Sequence, residues 1–336
     1  ALRVDGVSSM LYLNFGVDDP ARKKYNAKGG EEDLDAVAFL QTLNTVIGTR
    51  VPGAATYAEE SSAWPLVTYP PEKGGLGFHY KWDMGWMNDT LRYMSIDFDG
   101  RKYNHGLLTF SMMYAFSENY ILPLSHDEVV HGKKSLIGRM PGDWWRQFAG
   151  ARLLPMYAAC HPGGMLSFMG NEFAQFIEWR DYEELEWFLL QYETHAGVQR
   201  FIRELNHTYR REKALWEIDN GWDGFDWIDA DNSEQGILSF VRKAKDGSAI
   251  LCILNFRPES HESFRLGVPF AGTWQEILSS DEKRFGGSGK TNPRRLHTKK
   301  VPSHGREQSL VLTVPPLGGT LIKYTGETTH ARKRRV

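Results

Sequence analysis

Gly53-Ala54-Ala55-Thr56-Tyr57-Ala58-Glu59-Glu60 is small and apolar and ends in two acids. A buried parallel strand reads this way just before it opens into a loop. Gly163-Gly164-Met165-Leu166-Ser167-Phe168-Met169-Gly170 reads as a second such strand. Ahead of the first, Ala36, Leu40, Leu43 and Ile47 share one face of a helix. Between the two, Asp143 is placed to cap a helix from Trp144 to Ala159. Beyond the second, Val198, Phe201, Ile202 and Leu205 mark an amphipathic helix running toward Tyr209. Helix, strand, acidic loop and helix is the rhythm of a (β/α) barrel or a doubly wound sheet.

The rhythm changes near residue 216. Phe225 to Ile228, Gly236 to Arg242, Ala249 to Phe256, Thr273 to Leu278 and Ser309 to Val314 are short strand-like runs. Asp246-Gly247 between two of them is a hairpin signal. The expected organisation is an α/β part over residues 1–215, a small antiparallel β-sandwich over 216–326, and a basic disordered tail over 327–336.

Bulk properties narrow the function. Lys and Arg number 40 against 42 Asp and Glu, a net charge of −2, so nothing electrostatic favours nucleic acid or an anionic membrane as partner. No apolar run is long enough to span a bilayer. Cys160 and Cys252 lie in apolar surroundings without metal-site spacing, so they read as buried thiols of a reducing cytoplasm. No metal is expected.

Three stretches place an acid at or just after a strand-like run: Leu2-Arg3-Val4-Asp5, Ala58-Glu59-Glu60 and Leu124-Ser125-His126-Asp127-Glu128. In a parallel barrel, groups at the C-terminal ends of different strands converge. Two cooperating carboxylates about 5 Å apart suit a retaining glycosyl transfer, one attacking the anomeric carbon and one donating a proton to the leaving oxygen. Arg3 faces the same side as Asp5 on a strand and can orient it. His126 offers an N–H to a sugar hydroxyl, provided the loop begins there. Each residue also has a plainer reading. Acids after strands often cap helices, Arg3 and Asp5 can be a simple ion pair, and a lone histidine is commonly structural.

The wording of the motifs goes further. Arg3-Val4-Asp5-Gly6-Val7-Ser8-Ser9-Met10, Ala58-Glu59-Glu60-Ser61 and Leu122 to Ser135 resemble the second, third and fourth signature regions of the α-amylase superfamily. With Gly74-Gly75-Leu76-Gly77-Phe78, Phe168 to Gln175 and Ser303-His304-Gly305-Arg306-Glu307, the chain resembles bacterial 1,4-α-glucan branching enzymes along nearly its whole length. The resemblance implies the C-terminal part of a (β/α)8 TIM barrel followed by an all-β domain. It implies Asp5 as nucleophile, Glu59 as proton donor and base, and Asp127 as transition-state stabiliser, with Arg3 and His126 binding substrate. The substrate implied is an α-1,4-glucan chain, transferred to a 6-hydroxyl to make an α-1,6 branch. An α-glucan hydrolase or debranching enzyme, and a non-catalytic glucan-binding protein, are the alternatives. Trp82, Trp86 and Trp179 are candidate sugar platforms.

Such enzymes carry a β module and the first barrel strands ahead of the second signature region. A full barrel takes about 250 residues, and about 215 precede the shift in composition. Half a barrel is therefore expected, from a truncated chain inactive on its own.

Overall fold

The structure is a computed structural model that describes residues 1–326. The basic tail over 327–336 lies outside the described residues. The chain forms two compact units. The first comprises Ala1–Asn88, Phe110–Pro123 and Gly163–Leu166; the second comprises Asp89–Thr109, Leu124–Pro162 and the chain from Ser167 onward. The compositional boundary at 215/216 thus falls within the second unit. Among the described residues no helix is long and apolar enough to cross a membrane.

The first unit is built on a sheet of β1 (Leu2–Val4), β2 (Thr56–Ala58), β3 (Tyr80–Trp82), β4 (Tyr120–Leu124) and β5 (Gly164–Ser167), in that spatial order. Strands β1 to β4 run parallel. Helix α1 (Val7–Leu11) follows β1 directly, and α2 (Leu34–Arg50) precedes β2. Asp33 caps α2, its carboxylate accepting the N–H groups of Asp35 and Ala36. The expected face of α2 packs inward through Leu40, beside Val7, Leu11, Ala58, Val67, Leu76 and Phe78. Leu76 and Phe78 reach that core because Gly75 has no side chain. A Cβ there would sit 2.0 Å from the carbonyl oxygen of Tyr69, so any other residue would push the loop apart. β2 is shorter than expected, since Gly53 turns at φ 85 before the strand begins.

Helix α3 (Met84–Ser95) begins in the first unit and continues into the second. The second unit also holds α4 (Gly106–Thr109), α5 (Trp144–Cys160) and α6 (Glu193–Arg211). Asp143 caps α5 as expected, accepting from the N–H of Arg146 at 3.0 Å. Val198, Phe201 and Leu205 of α6 are buried.

Its antiparallel part comprises β6 (Phe225–Asn232), β7 (Ile237–Lys243), β8 (Ala249–Asn255), β9 (His261–Val268), β10 (Thr273–Ser279), β11 (Leu296–His297), β12 (Gln308–Val314) and β13 (Gly318–Gly326). Six form one sheet in the order β11-β10-β13-β8-β7-β6, and β12 pairs with β9. Leu251 and Ile253 of β8 share a core with Leu266, Leu310 and Leu312 from the smaller sheet. The opposite face of the larger sheet meets α5 through β8 and β13. Every residue of β8 is consequently buried, which explains its unbroken apolar run. The Asp246-Gly247 hairpin forms, with Gly247 at φ 81 and the Asp246 carboxylate accepting from Ser248 N–H at 3.0 Å.

Three buried arginines tie the helical and antiparallel parts of this unit together. Arg101 donates to the carbonyls of Phe256, Met94 and Ile96. Arg152 donates to Ser280 O at 2.9 Å, and Arg242 to Cys160 O at 2.8 Å and to the Asp219 carboxylate. Burial lowers the pKa of both Arg101 and Arg152 to about 10, still well above neutrality. Cys160 and Cys252 are both free and buried.

Glu276 on β10 carries a pH dependence. Burial raises its carboxyl to about 7, opposed by the side-chain and backbone N–H groups of Asn292, both of which donate to one oxygen. The nearby Glu282 raises it further. Between the unfolded value near 4.5 and about 7, the unfolded chain gives up this proton first, so stability falls as pH rises through that window. Above it the loss is about 3 kcal/mol. Glu276→Gln keeps an oxygen for Asn292 and removes the charge. Urea unfolding should find this variant more stable than the parent by up to about 3 kcal/mol at pH 8 and equal to it near pH 4.5. A constant difference across pH would refute the assignment.

Candidate active site

In the first unit, Val4 of β1 lies opposite Ala58 of β2. The backbones stay paired past the strand ends: Glu59 N–H donates to Val4 O, and Val7 N–H to Glu59 O, each at 3.0 Å. Asp5 and Glu59 therefore emerge at the same ends of two adjacent parallel strands. Gly6 turns there with φ 58, and its N–H donates to Glu59 Oε2 at 2.8 Å. Any other residue at that dihedral would cost about 1–2 kcal/mol. The Glu59 carboxylate is thus held beside the peptide that follows Asp5.

Arg3 Nη2 donates to Asp5 Oδ1 at 2.5 Å, with the Asp5 side chain 80% exposed. An ion pair this open adds little stability. The other side of Arg3 has a firmer partner, for its guanidinium lies 4.2 Å from the centroid of the Trp82 ring. A planar cation over an aromatic face is fixed in orientation as well as attracted. Trp82 is 4% exposed and Trp86 1%. The sugar-platform expectation fails for both: their faces are taken up by packing, and Trp82 serves as the floor under Arg3.

Glu60 is the residue that sequence reasoning undervalued. It is 1% exposed, neither a solvated carboxylate nor a helix cap. Its Oε2 accepts from Lys81 Nζ at 2.6 Å. Its Oε1 accepts from Ser8 Oγ at 2.7 Å, from Ser62 N–H at 2.8 Å and from Ser62 Oγ. Lys81, 7% exposed, also donates to Ser62 O at 3.2 Å. One buried pair thereby joins helix α1, the loop after β2 and strand β3. The available signal was a lysine inside the apolar strand Tyr80-Lys81-Trp82, since a buried lysine needs an acid.

In the second unit, the turn after β4 is set by Ser125. It N-caps the 3-10 turn His126–Glu128, its Oγ accepting from Asp127 N–H at 3.2 Å. Glu128 answers by accepting from Ser125 N–H at 2.8 Å and Ser125 Oγ at 2.6 Å. The loop begins where His126 needs it to. Glu128 is buried in this cap, while His126 and Asp127 remain partly open, their side chains 34% and 43% exposed. His126 Nε2 lies 3.3 Å from Asp127 Oδ1. The His126 ring is flanked by Phe168 and Trp179, with centroids at 5.8 and 6.0 Å.

The first unit therefore gathers Arg3, Asp5 and Glu59, and the second holds His126 with Asp127. Among the described residues no group of three His, Cys, Asp or Glu is arranged to hold a metal ion.

Comparison with known proteins bears on the fold and the relatives of the chain. Residues 227–325 match the family model described as the α-amylase C-terminal all-beta domain. The chain is 54% identical over 323 residues to the 1,4-alpha-glucan branching enzyme GlgB of Halothermothrix orenii, covering 96% of this chain and 51% of that protein. It is 53% identical to the GlgB of Desulfitobacterium hafniense, with the same coverage. Among solved structures, the α-amylase of H. orenii superposes with a TM-score of 0.55 at 11% identity, over 87% of this chain and 57% of that one. The Geobacillus thermoleovorans α-amylase complexed with acarbose gives 0.57 at 11% identity, over 87% and 58%. The fold class matches the expectation: part of a (β/α)8 barrel followed by the all-β domain. The chain spans about half the length of the curated relatives it matches, and along that span it is similar to 1,4-α-glucan branching enzymes.

Proposed function

We propose that this chain carries the catalytic machinery of a 1,4-α-glucan branching enzyme. The reading rests on one observation above others: Asp5 and Glu59 emerge side by side from adjacent parallel strands, in a chain about half identical to enzymes named for that reaction. An Asp5 carboxylate oxygen attacks the anomeric carbon of an α-1,4-linked glucan. Glu59 gives its proton to the departing 4-oxygen as that bond breaks. The glucosyl chain is then bound to Asp5. Glu59 next removes the proton of an acceptor 6-hydroxyl, whose oxygen attacks the same carbon and frees Asp5. Two displacements retain the α configuration and leave an α-1,6 branch. Asp127 and His126 hold ring hydroxyls as the sugar flattens toward an oxocarbenium ion, and Arg3 keeps Asp5 aimed.

No cofactor is required, because the energy of the donor bond is carried through the covalent intermediate. Residues 1–215 would hold the catalytic part and 216–326 the accessory β domain. A cytoplasmic setting fits the two buried free thiols.

Incubation of this chain, and of a version extended to the full length of its curated relatives, with amylose, following iodine colour and reducing ends together, tests the reading. Branching lowers iodine absorbance without new reducing ends. A rise in reducing ends would instead mean hydrolysis. Glucan binding with neither change would favour a non-catalytic binding protein.

A further inference from the structure

Strand β3 adds no open carboxylate to the candidate site, yet its last two residues each hold a group beside it. Neighbours on a strand point to opposite faces. Lys81 is taken by Glu60. Trp82 faces the other way, and the register of the sheet decides what it meets. Arg3 of β1 lies opposite Tyr57 of β2, and Tyr57 opposite Tyr80 of β3, so these three side chains share a face. Tyr57 and Tyr80 stack there, with centroids 5.1 Å apart and planes inclined by 17°. Trp82, two residues beyond Tyr80, shares that face as well. Its ring thus comes under the Arg3 guanidinium, whose Cζ is 4.2 Å from the ring centroid.

Exposure decides which of its two partners fixes Arg3. The Asp5 side chain is 80% exposed and that of Arg3 28%, so solvent and salt screen their ion pair. Trp82 is 4% exposed, so its ring is held by packing and meets the cation where water is scarce. Cation–π attraction strengthens with that desolvation. Trp82 Nε1 is buried with no hydrogen-bond partner among the described residues, so what the indole offers here is its π face. A planar guanidinium over a ring keeps its N–H edge free, and that edge donates to Asp5 Oδ1 at 2.5 Å. Aim matters for a nucleophile, since a misplacement of about 1 Å can cost about 10²-fold in rate. We propose that Trp82 is a positioning residue: it fixes the Arg3 guanidinium, and through it the Asp5 carboxylate, without touching substrate itself. The proposal rests on the reading of Asp5 as nucleophile and adds the residue that keeps an exposed nucleophile in one place.

Branching kinetics of the version extended to the length of the curated relatives, together with the Arg3 side-chain N–H signal of this chain in heteronuclear NMR, test it. Trp82→Leu should lower kcat about tenfold and leave KM within about twofold. Trp82→Phe, which keeps a ring face, should lose less than about threefold. A lysine has no plane to lay on the ring, so on an Arg3→Lys background the same Trp82→Leu change should cost less than about twofold. In the parent spectrum the Arg3 Nε–H signal, assigned by its loss in Arg3→Lys, should be shifted upfield by the ring beneath it, and Trp82→Leu should return it to the position of a solvated arginine. Equal losses in Trp82→Phe and Trp82→Leu, or an undiminished loss on the Arg3→Lys background, would mean that Trp82 only packs and would overturn the proposal. If Trp82→Leu does not fold, the parent spectrum decides: a shifted Arg3 signal supports the proposal and an unshifted one overturns it. An extended parent that leaves amylose unbranched would sink the branching reading, and the same signal would then decide the Trp82–Arg3 clamp by itself.

Discussion

Replacing Lys81 by methionine is expected to destabilise the chain by about 3–5 kcal/mol at neutral pH. The methionine fills the same space, so packing changes little. What changes is Glu60, left as a carboxylate 1% exposed, with its Oε1 still bonded by Ser8 and Ser62 and its Oε2 bare. Removing one partner of a buried pair costs far more than the pair itself contributes. The double variant Lys81→Met with Glu60→Gln tests that cause, because the neutral amide keeps an oxygen for Ser8 and Ser62 and leaves no charge stranded. It should recover at least half of the loss, about 2 kcal/mol. Urea unfolding of the parent, both single variants and the double closes the cycle. A Lys81→Met chain within 1 kcal/mol of the parent would mean that Glu60 is not held as described.

The same network explains why Glu59 can be aimed at all. Glu59 sits one residue from Glu60, and Ser8 sits two residues beyond Gly6, which holds the Glu59 carboxylate. A buried pair joining helix α1, the loop after β2 and strand β3 makes that loop a fixed support. The desolvation cost is borne by residues that take no part in the chemistry.

Much of this arrangement was legible in the residues, for physical reasons that differ by element. The run at β8 is apolar from Ala249 to Leu254 because both its faces are covered, and Asp143 announced α5 because a cap is a local bond. β9 escaped notice. Its Phe264, Leu266 and Val268 alternate with Ser263, Arg265 and Gly267, a short and weakly apolar pattern that pairing with β12 makes a strand. β13 was hidden by two opening glycines, Gly318 and Gly319, which weaken any strand signal. The candidate site was read from an acid after a strand, a sign that Asp83 shows to be incomplete. Asp83 also follows a strand, β3, yet it is 2% exposed and its carboxylate accepts from Trp86 N–H and Tyr114 OH. Such acids differ only in what reaches them through the fold, and spacing along the chain does not carry that information. Trp82 was misread for the same reason, since its partner Arg3 lies far away in sequence.

Asp5→Asn and Glu59→Gln should separate cleanly when the leaving group is changed. On amylose both are expected to lose activity by at least 10²–10⁴-fold, since under the proposed roles one loses the nucleophile and the other the proton donor. An α-maltosyl fluoride donor needs no proton to expel fluoride. The first displacement should therefore survive in Glu59→Gln, as Asp5 attacks the anomeric carbon and the C–F bond breaks. The second displacement still needs a base to deprotonate a sugar hydroxyl, so the glycosyl ester on Asp5 should accumulate and be seen as added mass on the peptide carrying residue 5. Azide requires no deprotonation. Added azide should attack the same carbon, release Asp5 and restore turnover to Glu59→Gln alone, with an α-glycosyl azide as product. In Asp5→Asn there is no carboxylate to attack, so neither fluoride nor azide should help. The pattern follows from geometry as much as from chemistry, because Glu59 is bonded to Gly6 beside Asp5 and either change leaves the other residue in place. If fluoride and azide fail to rescue Glu59→Gln, or rescue Asp5→Asn equally, the two roles are assigned to the wrong carboxylates.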